Sequence, residues 1–133
     1  MNSNLQFLID IENWSEKYLA IMEFGKNLKR LDENLKNNEN KISGCQSRVW
    51  IILTFDNNIV EINGEADSRF VQGLLAIIIE IYNNKTPQQI FDVDESWIAE
   101  LGLGKNISMI RRSGIDAIIK NIKSRTNKIS IAS

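Results

Sequence analysis

Arg48-Val49-Trp50-Ile51-Ile52-Leu53-Thr54-Phe55, Asp56-Asn57-Asn58, Ile59-Val60-Glu61-Ile62-Asn63-Gly64 and, beyond Asp67-Ser68, Phe70-Val71-Gln72-Gly73-Leu74-Leu75-Ala76-Ile77-Ile78-Ile79-Glu80-Ile81 set the architecture of this 133-residue chain. The first run is dense in β-branched and aromatic residues, which suit a half-buried pleated surface, so it reads as a strand. Asp and Asn tolerate positive φ, so 56–58 reads as a tight turn and 59–63 as the returning strand. After Gly64 the apolar period changes from two to that of a helix, capped by Asp67 or Ser68. That helix is apolar nearly all round, which requires cover on several sides: the hairpin on one, other helices elsewhere. Gly73 in its interior costs about 1 kcal/mol relative to Ala, a cost that close packing against the sheet would justify.

Working outward, Leu5, Leu8 and Ile9 suggest a short first helix. Asn13 and Glu16 then cap a second, with Trp14, Tyr18, Ile21 and Met22 on one stripe and Gly25 as its stop. Residues 26–41 are polar, anchored by Leu28, Leu31 and Leu35, and read as a helical turn within a surface loop. Lys41-Ile42-Ser43 offers a short third strand. Thr86-Pro87 opens a short helix through Phe91, because a cap followed by Pro is the favoured first turn. Asp94 opens another that ends at Gly102. Ser108 caps a last long helix with Ile110, Ile115, Ile118, Ile119 and Ile122 inward, its tail fraying from Thr126. The expectation is one α+β domain over 1–133, its core at about 10–123: a small antiparallel sheet of two to three strands packed against several helices.

Composition excludes whole classes of chemistry. The chain has no His, which removes Ser–His–Asp and Cys–His hydrolases and His-ligated metal sites. It has one Cys, which removes an intrachain disulfide, a CxxC pair and a Cys-rich metal or cluster site. No phosphate-cradling glycine loop is present. The longest apolar run, Leu74 to Ile79, is far short of the roughly 20 residues a membrane helix needs. Met1-Asn2-Ser3-Asn4 carries no basic segment before an apolar one, so a secretory signal is not expected and a cytoplasmic setting with a reduced thiol is. Net charge is −1, but residues 105–133 hold Lys105, Arg111, Arg112, Lys120, Lys123, Arg125 and Lys128 against Asp116 alone, a local +6. A basic last helix of this kind either docks an acidic partner or forms a solvated face. It has no aromatic residue for base stacking, so nucleic acid is the weaker option.

Cys45 is the chemically distinctive side chain. Gly44, Gln46 and Ser47 around it are small or polar and sit at the mouth of a strand, a tip from which a thiol can protrude. Gly44 also allows the φ values of a sharp turn and clears the approach of a partner. The plain alternative is a buried Cys acting as a small hydrophobe. A lone reactive thiol cannot resolve a sulfur bond internally, so whatever it accepts passes to another molecule. That suits a carrier working by thiolate attack on a partner's outer sulfur, with nearby cations or backbone amides favouring the thiolate.

Asn13-Trp14 with Glu16-Lys17-Tyr18 and Gly25, then Gly44-Cys45-Gln46-Ser47-Arg48-Val49-Trp50, then Ala66-Asp67-Ser68 with Val71-Gln72-Gly73-Leu74, resembles the SufE family. Lys85-Thr86-Pro87, Leu101-Gly102-Leu103, Ser108, Arg111 and Gly114 continue the likeness in order, over about residues 10–123. The resemblance implies the α+β fold shared with NifU-like scaffolds. It implies a protein that takes persulfide sulfur onto Cys45 from a pyridoxal-phosphate cysteine desulfurase of the SufS type and stimulates that enzyme. The sulfur then goes to an iron–sulfur scaffold of the SufBCD type. The pyridoxal cofactor belongs to the desulfurase, so no cofactor, metal, nucleic acid or membrane is expected here, and the chain is a partner rather than an enzyme.

Asp67 and Arg111 match polar residues near the acceptor loop in the family. The alternative is that Asp67 merely caps the central helix and Arg111 merely pairs with a carboxylate. Gln46 favours the SufE branch over the CsdE branch, whose acceptors serve a different desulfurase. Lys29 and Ser113 depart from the family's usual Pro and Asn or Gln. A binding module using the basic helix and a peroxide-sensing thiol are the competing functions. A persulfide is readily lost to small thiols, so the acceptor role also implies a loop with a tucked and an extended position.

Overall fold

The computed structural model describes residues 3–132. Two antiparallel strands, β1 (Val49–Asp56) and β2 (Ile59–Ala66), pair from Val49 opposite Ala66 to Asp56 opposite Ile59. Asn57 and Asn58 join them at φ 51° and 61°, the two positive values a two-residue hairpin turn requires. Val60, Ile62 and Gly64 alternate inward along β2, and α3 (Arg69–Tyr82) packs on that strand. Ser68, not Asp67, caps α3, its hydroxyl accepting the Val71 N–H at 3.2 Å. Ten of the fourteen α3 residues are buried, because α2 (Trp14–Gly25) covers a second side and α7 (Met109–Ala132) a third.

Gly73 serves a neighbour other than the expected one. It packs against the backbone of α2 rather than the sheet: a Cβ there would run into the Ile21 carbonyl. Gly25 faces it, and a Cβ on Gly25 would lie 2.8 Å from Gly73 N. Gly25 ends α2 without a left-handed cap, since Lys26 beyond it is right-handed at φ −68°. Both glycines therefore let two helices touch backbone to backbone.

Three further expectations are corrected. The proposed third strand is reduced to a single bridge, Lys41 to Trp50, flanked by Ile42 N–H to Val49 O at 2.8 Å and Ile51 N–H to Asn40 O at 3.0 Å. The core also runs beyond 10–123. Leu5 and Leu8 on α1 (Ser3–Asp10) are fully buried. At the other end the tail does not fray at Thr126. It stays helical to Ala132, Thr126 is fully buried, and Arg125 Nη1 donates to Ile51 O at 2.8 Å, pinning α7 to β1. Of the N-terminal segment read for a secretory signal, Met1-Asn2 lies outside the described residues, as does Ser133 at the far end.

The remaining elements are short. Glu33–Leu35 forms one 3-10 turn inside the polar loop. Glu65 on β2 holds that loop, accepting from Leu31 N–H at 3.0 Å and pairing with Lys36. Thr86 and Gln89 form a reciprocal capping box on α4 (Pro87–Phe91). Helix α5 (Trp97–Glu100) starts later than expected, because Asp94 Oδ1 turns back to the Ser96 N–H at 2.9 Å. Gly102 at φ 73° separates it from α6 (Leu103–Asn106). No helix among the described residues is long and apolar enough to cross a membrane.

Candidate functional site

The 44–48 segment lies against one face of α7. Gly44 sits at φ 91°, a left-handed conformation that disfavours a side chain. A Cβ there would in any case come within 3.2 Å of Ala117 Cβ. One helical turn away, Cys45 Sγ donates to the Gly114 carbonyl oxygen at 3.6 Å. Residues three and four apart on a helix share a face, so 114, 117 and 118 form the bed on which the loop lies.

Cys45 is half-buried in this bed, so of the two loop positions expected from the sequence this is the tucked one rather than the protruding tip. The glycine that was to free the thiol instead lets the loop fold down onto the helix. Burial disfavours the thiolate and pushes the Cys45 thiol up from its ordinary value. In this position the sulfur is held as a neutral thiol.

A cavity of about 210 Å³ opens beside it. Cys45, Gln46, Ser47, Ser68, Arg111 and Gly114 line it, together with apolar walls from α3 and α7. Val71 and Leu74 supply the first wall, and Ile110, Ile115 and Ile118 the second. Ile110, expected to face inward, is instead 56% exposed; the other four were read from the sequence only as core positions. A helical period shows which residues face inward, but not that part of the inward face borders a space.

Arg111 lines this cavity, and no carboxylate among the described residues forms an ion pair with it. Its guanidinium lies 4.7 Å from the Phe70 ring centroid and 5.8 Å from that of Tyr18. Those rings are themselves stacked at 4.3 Å and 6°, with Trp14 edge-on to both. A cation over an aromatic face is attracted by the ring quadrupole, so α2 and α3 together hold the Arg111 head at the cavity. The Trp14–Tyr18 spacing gave no sign of this platform, since its third ring comes from another helix.

Asp67 is absent from the cavity lining and faces a larger cleft of about 480 Å³, which Ser68 also borders. Asp67 acts on the loop's far end. Its Oδ1 accepts the Arg48 N–H and its Oδ2 the Arg48 Nε, each at 3.0 Å, while its own N–H donates to Arg48 O at 3.0 Å. Arg48 directly follows Ser47, so this three-bond clamp fixes where the Cys45 loop re-enters the sheet. Neither alternative raised from the sequence describes these residues: Asp67 does not cap α3, and Arg111 is held by rings.

The basic last helix is partly spent inside the molecule. Arg125 bonds Ile51 O and Glu39 O, Lys123 pairs with Glu95 at 3.2 Å, and Arg112 with Asp116 at 3.5 Å. Among the described residues no group of three or more His, Cys, Asp or Glu is placed to hold a metal ion.

The fold matches the solution structure of a hypothetical protein from Thermus thermophilus with a TM-score of 0.77, at 12% identity, over 98% of this chain and 94% of that one. The family model for SufE, an Fe-S metabolism associated domain, matches residues 3–126. It takes in α1, the Cys45 loop, the Asp67 clamp and the Gly114 bed, and this chain therefore belongs to the SufE family of Fe-S metabolism.

Proposed function

We propose that this chain is a sulfur carrier for iron–sulfur cluster assembly, with Cys45 as its acceptor. The donor is a pyridoxal-phosphate cysteine desulfurase of the SufS type, which the chain stimulates. The recipient is a scaffold complex of the SufBCD type. One observation carries the reading: within a SufE-family domain, a lone thiol lies half-buried at a cavity it shares with an arginine.

The transfer is a thiol exchange. The Cys45 thiolate attacks the outer sulfur of the donor's cysteine persulfide. A sulfur–sulfur bond forms at Cys45, the donor's own sulfur–sulfur bond breaks, and the donor leaves as a thiolate. The proton lost by Cys45 goes to solvent or to that leaving thiolate, and no net oxidation occurs. Delivery to the scaffold repeats the exchange with Cys45 as the leaving group. The raised pKa of the tucked thiol works against attack, so the loop must lift off α7 at the donor, into surroundings that favour the thiolate. Gly44, Gln46 and Ser47 form the moving segment, Asp67 anchors its end through Arg48, and Arg111 supplies positive charge beside the sulfur anion.

The test is mass spectrometry of the chain after incubation with a cysteine desulfurase and cysteine. Wild type gains one sulfur at Cys45 and raises the desulfurase rate, whereas a folded Cys45→Ser variant gains none. No gain in wild type, together with an unchanged desulfurase rate, would overturn the reading.

A further inference from the structure

Five of the seven glycines fall into two groups. Gly44 and Gly102 have positive φ. Gly25, Gly64 and Gly73 have backbone so close that a Cβ would lie within 3.0 Å of a neighbouring atom. Gly104 and Gly114 belong to neither: Gly104 lies in the four-residue α6, where a Cβ would meet Arg112 Nη1 at 3.6 Å, and Gly114 is the exception within a long helix. It sits inside α7 with ordinary helical backbone, and a Cβ there would meet Cys45 Sγ at 3.8 Å, a normal van der Waals contact. Glycine weakens a helix interior relative to alanine, and the unmodified fold gives no reason to accept that weakening. The reason appears once a second sulfur is placed on Cys45.

We infer that Gly114 is a positioning residue for the Cys45 persulfide: its missing side chain leaves the space beside Sγ that the outer sulfur occupies. This rests on the sulfur-acceptor reading of Cys45. A sulfur–sulfur bond is about 2.0 Å long. The thiol proton now points at Gly114 O across a gap of 3.6 Å, and a sulfur put in that direction would collide with the oxygen. The outer sulfur has to turn aside into the cavity, whose apolar walls are the side chains of Val71, Leu74, Ile110, Ile115 and Ile118. At Gly114 the wall has no side chain. A methyl 3.8 Å from Sγ would tolerate the thiol and crowd an atom bonded about 2.0 Å farther out, since non-bonded heavy atoms settle at about 3.5–4.0 Å.

The test compares wild type, Gly114→Ala and, as a helical glycine away from the thiol, Gly104→Ala, each loaded on Cys45 by a small alkyl persulfide. The donor's outer sulfur moves to Cys45 and the alkyl thiolate leaves, so loading does not depend on a desulfurase. Discharge by reduced glutathione is followed as loss of one sulfur by mass spectrometry. The Gly114→Ala persulfide is expected to discharge roughly fivefold faster than wild type. Gly104→Ala should match wild type. Alkylation of unloaded Cys45 by iodoacetamide should stay within about twofold in all three, because the methyl clears the bare thiol. Equal persulfide lifetimes in wild type and Gly114→Ala would overturn the inference. So would an equal acceleration of alkylation, which would mean that the methyl only lifts the loop. Failure of wild type to gain sulfur from a desulfurase is a separate result, and it strikes the acceptor reading instead.

Discussion

Cys45 Sγ and the carbonyl oxygen of Gly114 lie 3.6 Å apart, although 69 positions separate the two residues in the chain. The contact ties a loop at the strand entrance to the middle of the last helix. It gives the thiol proton an acceptor while withdrawing the sulfur from water. Burial in that position both limits access to the sulfur and raises the pKa of the thiol.

The first expected outcome is a slow, basic-shifted alkylation of Cys45. Burial holds the thiol above its ordinary value of 9.0, and iodoacetamide reacts with the thiolate. Below that value the folded chain should react more slowly than the denatured chain, because it holds less thiolate and less of it is accessible. The folded profile should reach its midpoint at higher pH. The linked stability has a definite sign. Where the folded pKa is raised, the contribution is fully present below the unfolded value and is lost as pH rises towards the folded one. Coincident folded and denatured rate profiles would show that the tucked position is not maintained in solution.

Asp67→Asn addresses the loop rather than the thiol. Asn keeps an oxygen for the Arg48 N–H but gives up the charge that draws the Arg48 guanidinium. The side chains are 34% and 63% exposed, so solvent screens the pair and global stability should fall by less than about 1 kcal/mol. The loop should nevertheless lift more often, and Cys45 alkylation in the folded chain should quicken several-fold. Measured together, urea melts and alkylation rates separate the two effects. An unchanged alkylation rate would show that the clamp does not govern the loop.

Much of this molecule could be read from local patterns, and the parts that could not share a cause. The hairpin follows from β-branched runs about Asn57-Asn58, and α3 from its apolar period behind Ser68. Cys45 stood out because its neighbours are small and polar. That it rests tucked did not, because that depends on Gly44 meeting Ala117 and Cys45 meeting Gly114 across the fold. The tail looked loose because 126–133 is mostly polar. Thr126 is buried and Arg125 reaches Ile51 O through contacts that no local window contains. Asp67 shows the same limit: Ser68 beside it was legible as a cap, whereas the grip of Asp67 on Arg48, 19 positions earlier, was not.

Gly73→Ala should destabilise the chain, in contrast to the usual gain of about 1 kcal/mol when a helical glycine becomes alanine. The α2–α3 crossing brings Ile21 O onto Gly73 and Gly25 onto its N–H side, so the added methyl meets backbone on α2 rather than a side chain able to rotate away. The helices must separate, which opens space around Ile21 and Leu74, both buried. Overpacking of this kind costs about 1–3 kcal/mol, and the lost packing adds to it. Urea denaturation should show a net loss of about 2–3 kcal/mol with an unchanged slope. Tyr18 and Phe70 stack across the same crossing, so the Arg111 platform should loosen too, with faster Cys45 alkylation as a second readout. A Gly73→Ala chain as stable as wild type would mean that the two helices are not in backbone contact at this point.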